Sequence, residues 1–256
     1  MKDKYLVVIP ARNEEKTIYE VVSRALRYAD VCVTDDGSQD NTAHILKEVK
    51  AQCRRGAFPH SLHIITHPVA THIPMSIQDG LRYGLEHHYD FVITMDAGLS
   101  HDPAALPGFM KYDTAVDLTI GKRRKPSNVP VFRRMISRLG AVAVNYALSS
   151  SAFNFTGPRI GDCTSGFRRY SRKAVDLIVN TRLRSRSFDF HMEALALCVR
   201  AGMKVSEIPI HFVFSNSSFN GHVLVQAVGF CIHLIKTKRD TKQPRQTRFA
   251  ESRRKT

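Results

Sequence analysis

The 256-residue sequence has no C-x-x-C pair: its five cysteines, Cys32, Cys53, Cys163, Cys198 and Cys231, stand singly and are odd in number. That pattern argues against a disulfide framework and fits reduced thiols in a cytosolic protein. Long apolar runs are also missing. Near the N-terminus only Leu6 to Ala11, with a proline among them, precedes the charged Arg-Asn-Glu-Glu-Lys. This is too short for a signal peptide core or a membrane span, so the chain is expected to be cytoplasmic. Acids are scarce, 23 Asp and Glu against 38 Lys and Arg, for a formal charge of +15. A surplus of that size favours polyanions: nucleotide diphosphates, lipid phosphates, an anionic membrane surface or nucleic acid. The basic C-terminal tail has a single aromatic, Phe249, and so no platform on which bases could stack, which argues against nucleic acid. No internal repeat is visible.

What is present is a strand–helix–strand unit from Tyr5 to Thr42. An apolar strand, Leu6 to Ile9, ends on Pro10 and a polar turn with Arg12, Asn13 and Glu14; a second strand, Val31 to Thr34, ends on Asp35-Asp36-Gly37-Ser38. In an open parallel sheet the ligand sits at the carboxyl ends of the strands, so both turns are expected to face one crevice. A glycine-rich dinucleotide turn would offer backbone N–H groups to a pyrophosphate. This turn offers carboxylates, which suit ribose hydroxyls and the N–H edge of a base.

The alternation continues. Asn41 to Val49 reads as a helix capped by Asp40, Ser61 to Thr66 as a third strand, Ile77 to Glu86 as a helix, and Phe91 to Met95 as a fourth strand running into Asp96-Ala97-Gly98. Pro103 suits a helix start, and Asp117 to Gly121 a fifth strand. Val131 to Ser149 reads as a long amphipathic helix with Arg133, Arg134 and Arg138 near its start. A polar turn, Gly161 to Tyr170, leads into a strand; a helix from Phe188 to Ala201 and a strand from Lys204 to Ile210 complete the domain. The prediction is a mostly parallel α/β sheet flanked by helices, in one domain over 1–220. Val223 to Ile235 is apolar apart from Gln226 and His233, too short to cross a bilayer, which needs about 20 residues. It reads as an amphipathic helix over 221–238, either lying in a membrane interface or packed on the domain. A basic tail, 239–256, follows; Lys236 to Thr256 carries nine Lys or Arg against two acids. Removing Gly221 to Thr256 is expected to leave the domain folded. His63, His67, His72, His87 and His88 have no ligand-like companions and read as ordinary surface or core histidines.

Pro10, Asn13, Glu14, Asp35, Asp36, Gly37, Ser38 and Asp40 match P-x-x-N-E and D-D-G-S-x-D, and on these residues the chain resembles the GT-A glycosyltransferases of family 2. Asp96, Ala97, Ser100, His101 and Pro103 resemble the D-A-D-x-[QS]-H-x-P motif of its polyprenol-phosphate branch, to which dolichol-phosphate mannosyltransferase belongs. Gly121-Lys122-Arg123, Arg133 with Ser137, Asp162 with Ser165-Gly166-Phe167-Arg168, Met192-Glu193 and Glu207-Ile208-Pro209-Ile210 continue the likeness in order. The resemblance implies a GT-A, Rossmann-like fold and transfer of a hexose from a GDP- or UDP-linked sugar to a polyprenyl phosphate, with inversion. It implies donor contacts at Pro10, Arg12, Asn13, Glu14, Thr34, Asp35, Asp36, Ala97 and Gly98, and catalytic roles for Asp96, Arg123, Arg133, Ser137 and Arg168. It also implies peripheral attachment to an anionic membrane surface through the basic C-terminus.

Three donor-site features depart from the branch. Gly98 replaces the second carboxylate of D-x-D, so Mg²⁺ or Mn²⁺ would rest on Asp96, with Asp102 as the other candidate ligand. His72-Ile73-Pro74 replaces a G-x-G, and Ser215 and Gly221 stand where the branch has Arg and Lys. Two other readings stay open: a soluble or glycan acceptor, for which Asp162 or Glu193 would be the general base, and a non-catalytic nucleotide-sugar binding protein.

Overall fold

The computed structural model describes residues 3–123, 140–149, 158–187, 189–212 and 221–237, with backbone alone for 221–228. Seven strands form one mixed sheet: β1 (Tyr5–Ala11), β2 (Asp30–Asp35), β3 (Leu62–Thr66), β4 (Phe91–Thr94), β5 (Leu118–Arg123), β6 (Arg168–Ser171) and β7 (Val205–Ile210). Their order is β3-β2-β1-β4-β6-β5-β7. β1 pairs in parallel with β2 and β4, β2 with β3, and β5 with β7. β6 alone runs antiparallel, between β4 and β5. All the parallel strands therefore end at one edge, where the polar turns gather.

Period-two alternation splits the core between the sheet's two faces. Val7, Ile9, Val31, Val33 and Ile93 pack with α1 (Ile18–Ala25), α2 (Thr42–Arg54) and α4 (Leu106–Met110). Leu6, Val8, Val92 and Ile120 pack with α3 (Ile73–Glu86), α5 (described over 140–147), α6 (Arg172–Val179), α7 (Phe190–Arg200) and α8 (Gly221–Lys236). Helix α3 lies hard against the sheet. A Cβ at Gly80 would stand 2.4 Å from Cγ1 of Val8, and one at Gly84 2.7 Å from Cγ2 of Val92, so these two glycines set the distance of approach.

The sequence reading and the structure differ at several boundaries, α3 starting at Ile73 rather than Ile77. α6 was not anticipated; it starts directly after β6, where Ser171 caps it by accepting from the Ala174 N–H. α2 starts at Thr42 rather than Asn41, and the Asp40 carboxylate accepts the Thr42 N–H at 3.0 Å from one residue before the cap position. The expected helix over 131–149 is described only from residue 140, so Arg133, Arg134, Ser137 and Arg138 lie outside the described residues. Helix α8 is packed on the domain, one of the two placements expected for it: Phe230, Cys231 and Leu234 are buried in the same core as Phe190 and Met192, and Arg200 donates to the Leu234 carbonyl at 3.4 Å.

Candidate active site

The crevice begins where the turns after β1 and β2 clasp each other. Asn13, at φ +55°, accepts the Gln39 N–H on its side-chain oxygen at 2.8 Å, and its own N–H donates to Ser38 Oγ at 2.9 Å. The Glu14 N–H donates to Thr42 Oγ1 at 2.8 Å, and the Glu15 N–H to Asp40 at 3.1 Å. Asn, Asp and Ser suit this work because their short side chains replace backbone partners in turns. Asp35 is buried and accepts the Ser38 N–H at 3.1 Å. Arg12 is exposed at the tip. Thr34, expected to meet the donor, is fully buried inside the sheet, and Ala97 is buried in the core, so neither side chain is open to the crevice.

Asp36 faces a neighbouring loop. Its Oδ1 accepts from the Thr71 N–H at 2.7 Å, from Thr71 Oγ1 at 2.8 Å and from His67 Nδ1 at 2.8 Å; its Oδ2 accepts from the His72 N–H at 3.0 Å. Burial pushes this carboxyl up, but the His67, Thr71 and His72 hydrogen bonds outweigh burial and hold it at about 2.

Asp96 follows β4 at the mid-sheet edge. Its side chain is 45% exposed, the open carboxylate of the crevice centre. Behind it lies His101, fully buried, whose Nδ1 accepts the Asp96 N–H at 3.2 Å and therefore carries no proton there. Burial lowers His101's pKa. Gly166 closes the other side: a Cβ there would stand 3.1 Å from Asp96 Oδ1 and 3.0 Å from His191 Nε2. Glu14 belongs to the same crevice, its carboxyl raised by burial and then by the charges of Asp96 and Asp40.

The far wall is a zip of three distant segments. Arg123 makes a two-pronged pair with Asp162, Nε to Oδ2 and Nη2 to Oδ1 both at 2.7 Å, and also donates to Thr164 Oγ1 at 2.7 Å. Glu207 accepts the N–H groups of Gly161 and Asp162 at 2.9 and 2.8 Å and pairs with Lys122 at 3.0 Å. Burial pushes the Asp162 carboxyl up, yet Arg123's hydrogen bonds and charge bring it below the usual carboxylate range.

Two expected residues are engaged by the fold itself. Arg168, read as catalytic, is fully buried; its guanidinium donates to the carbonyls of Ser165, His191 and Cys163 at 2.7, 2.6 and 2.7 Å. In this position it shapes the turn that carries Asp162 and Gly166. Asp102 is turned away from the crevice: it pairs with Arg24 of α1 and accepts the Ala104 N–H at 3.0 Å as the cap of the 3₁₀ turn Pro103–Ala105. Among the described residues no group of three His, Cys, Asp or Glu side chains could hold a metal ion. Asp96 is the open carboxylate that would hold such a cation, and a lone protein carboxylate is a donor set that Mg²⁺ accepts when substrate phosphates complete it.

The chain's relatives follow this geometry. The profile described as Glycosyl transferase family 2 matches residues 6–178. This chain belongs to glycosyltransferase family 2. The glycosyltransferase is 29% identical over 235 residues to the undecaprenyl-phosphate mannosyltransferase of Micrococcus luteus, covering 88% of this chain and 91% of that one. It is 27% identical over 229 residues to a UDP-N-acetylglucosamine–dolichyl-phosphate N-acetylglucosaminyltransferase of Methanococcus voltae, covering 85% and 89%. Among solved structures it resembles glucosyl-3-phosphoglycerate synthase of Mycobacterium tuberculosis in complex with Mn²⁺, UDP and glucosyl-3-phosphoglycerate. The TM-score is 0.64 at 18% identity, covering 92% of this chain and 80% of that one, a likeness of fold.

Residues that sequence reasoning passed over also line this glycosyltransferase's crevice. His67, Thr71 and Asp79 are joined to Asp36 across three segments, and no local spacing announces them. His191 is buried behind Gly166, and burial holds its pKa well below the ordinary histidine value.

Proposed function

We propose that this glycosyltransferase moves a hexose from a nucleoside-diphosphate sugar to a polyprenyl phosphate at a membrane surface. The observation that carries the reading is the state of two carboxylates. A hydroxyl acceptor needs a general base, and the two anticipated for it are both occupied. Asp162 is held by Arg123, and Glu193 accepts the N–H groups of Arg184 and Ser185, the latter at 2.8 Å. A phosphate acceptor is already ionised near neutral pH and needs no base. The lipid-phosphate acceptors in the names of the Micrococcus and Methanococcus relatives support the same reading.

The chain's residues then have the following work. The turns holding Arg12, Asn13, Glu14 and Asp35 grip the nucleoside, and Asp96 faces the diphosphate. The acceptor's phosphate oxygen attacks the anomeric carbon from the side opposite the leaving group. The new C–O bond forms as the bond to the β-phosphate breaks, the nucleoside diphosphate departs with the electron pair, and configuration inverts. Asp96 would hold a divalent cation, which would supply charge neutralisation of that leaving group. Arg133 and Ser137 remain the expected acceptor-phosphate contacts.

Membrane attachment rests on α8. Its outer face exposes Ile232 and Ile235, 49% and 38%, next to Lys236 and the basic tail. A cleft of about 220 Å³ beside it is lined by Arg184, Arg186, Asp189, Phe230 and His233, cationic enough for lipid phosphates. Among the described residues no helix is long and apolar enough to cross a membrane.

The test is transfer from radiolabelled GDP- and UDP-sugars to a short-chain polyprenyl phosphate, with Mg²⁺, Mn²⁺ or EDTA. A lipid-linked product is expected. Transfer to soluble sugars in the absence of lipid would instead favour the hydroxyl acceptor.

A further inference from the structure

We propose that His67 is a positioning residue for the donor nucleotide, which it holds in place through the loop that it pins to Asp36 and Asp79. The inference rests on reading the crevice beside β1 and β2 as the donor site. His67 lies just past the end of β3, and its N–H donates to the Asp35 carbonyl at 2.9 Å. Its ring bridges two carboxylates: Nδ1 to Asp36 Oδ1 at 2.8 Å and Nε2 to Asp79 Oδ2 of α3 at 3.1 Å. Thr71 Oγ1 approaches Nδ1 at 3.0 Å, and behind Asp79, Arg82 Nε stands 4.0 Å from its other oxygen. The ring is thus faced by Asp36 from the turn after β2, Thr71 from its own loop and the Asp79–Arg82 pair from α3.

Carboxylate oxygens only accept. Both contacts are hydrogen bonds when each ring nitrogen carries a hydrogen, whereas a neutral ring has one donor and turns a lone pair toward one of the carboxylates. The bridge is therefore complete in the imidazolium form and weakened by its loss.

The bridge fixes a loop that shapes the crevice. Residues 67–72 hang from Asp36 and lie on the Asp-Asp-Gly turn so closely that a Cβ at Gly37 would meet the Ala70 nitrogen at 3.0 Å. The same loop ends on His72 at φ +88° and ψ 153°, a region that L residues enter only under strain, and its N–H is held by Asp36. Strain of that kind persists where surrounding contacts over-determine the backbone. Asp36 and His67 supply those contacts, so the position of Asp35 and the turn beneath the loop depends on them.

The experiment is calorimetric titration of the full chain with UDP and with GDP, in Mg²⁺ or Mn²⁺. His67→Ala and Asp79→Asn are compared with wild type, with thermal unfolding run alongside. His67→Ala is expected to lose about tenfold in affinity. Asp79→Asn is expected to lose less, because an amide can meet either a protonated or an unprotonated ring nitrogen. In turnover, once the sugar donor is known, the effect should fall on KM and leave kcat at saturating donor unchanged. Wild-type affinity in a folded His67→Ala, or a larger loss in a folded Asp79→Asn than in His67→Ala, would overturn the proposal. Failure of wild type to bind either nucleotide would overturn the donor-site reading itself.

Discussion

Gly98 is the residue where the active site departs most simply from two-carboxylate cation binding. A Cβ built at Gly98 meets nothing within 4 Å, so an aspartate would be accommodated without displacing any neighbour. Gly98→Asp is therefore expected to fold like the parent and to bind Mn²⁺ in the presence of nucleoside diphosphate about tenfold more tightly, since a second carboxylate adds a hard oxygen ligand. Titration by electron paramagnetic resonance checks it; unchanged Mn²⁺ affinity would mean that the cation, if used, sits elsewhere. Arg168 calls for the opposite test. A lysine in its place keeps the charge but cannot reach three carbonyls at once, so Arg168→Lys should lose roughly 2–4 kcal/mol of stability. Turnover per folded molecule should stay within about twofold of wild type if the residue only shapes the turn, measured by urea unfolding beside the transferase assay. The contrast explains what could be read in advance. Ser165-Gly166-Phe167-Arg168 announces a special turn, but the direction of the guanidinium depends on where the His191 carbonyl falls in the fold. The Asp36–His67–Asp79 bridge was illegible for the same reason: its members come from the turn after β2, a loop and α3.

At the level of elements, the turns after β1, β2 and β4 were legible because Pro, Asn, Asp and Gly punctuate a regular strand–helix alternation. The strand expected to follow the polar turn Gly161 to Tyr170 is β6, but it begins inside that turn, at Arg168, where two arginines look like surface. Arg169 is fully buried and donates to the carbonyls of Phe109 and Asp113 at 3.0 and 2.6 Å, so polarity hid where a central strand begins. Helix α3 makes a packing prediction. Gly80→Ala improves helix propensity but drives a methyl into Val8, and should cost about 1–3 kcal/mol in chemical denaturation. The 67–72 loop makes an acid prediction. Asp36 is held at about 2 against the ordinary 3.8, a folded-state value below the unfolded one. Its stabilisation is fully present above 3.8 and lost as the pH falls from there through 2, and amounts to about 2 kcal/mol. Asp36→Asn should accordingly unfold more easily at neutral pH and lose less stability on acidification than wild type, as followed by denaturant midpoints across that window.

For the whole molecule the question is how a chain of net charge +15 would meet the lipid-borne acceptor proposed for it. Charge alone would attract any polyanion, weakly and with strong dependence on salt, because screening acts over about 8 Å at physiological ionic strength. An apolar anchor beside the charge is what distinguishes an interface from bulk anions. Helix α8 offers both. One stripe, Phe230, Cys231 and Leu234, is buried in the core, and the opposite stripe exposes Ile232 and Ile235. The two contributions can be separated because they lie on different residues. Ile232→Glu with Ile235→Glu leaves the buried stripe untouched, so thermal unfolding should be unchanged, while binding to phosphatidylglycerol vesicles should fall about tenfold, the apolar anchor being lost. Truncation after Thr237 removes eight Lys or Arg against two acids and should lower binding at low salt while leaving the remainder less sensitive to salt. If the double glutamate variant sediments with vesicles as wild type does, α8 is not the docking face. If the truncated chain keeps the full salt dependence, the attraction comes from the body of the domain, where Arg184 and Arg186 would be the next residues to reverse.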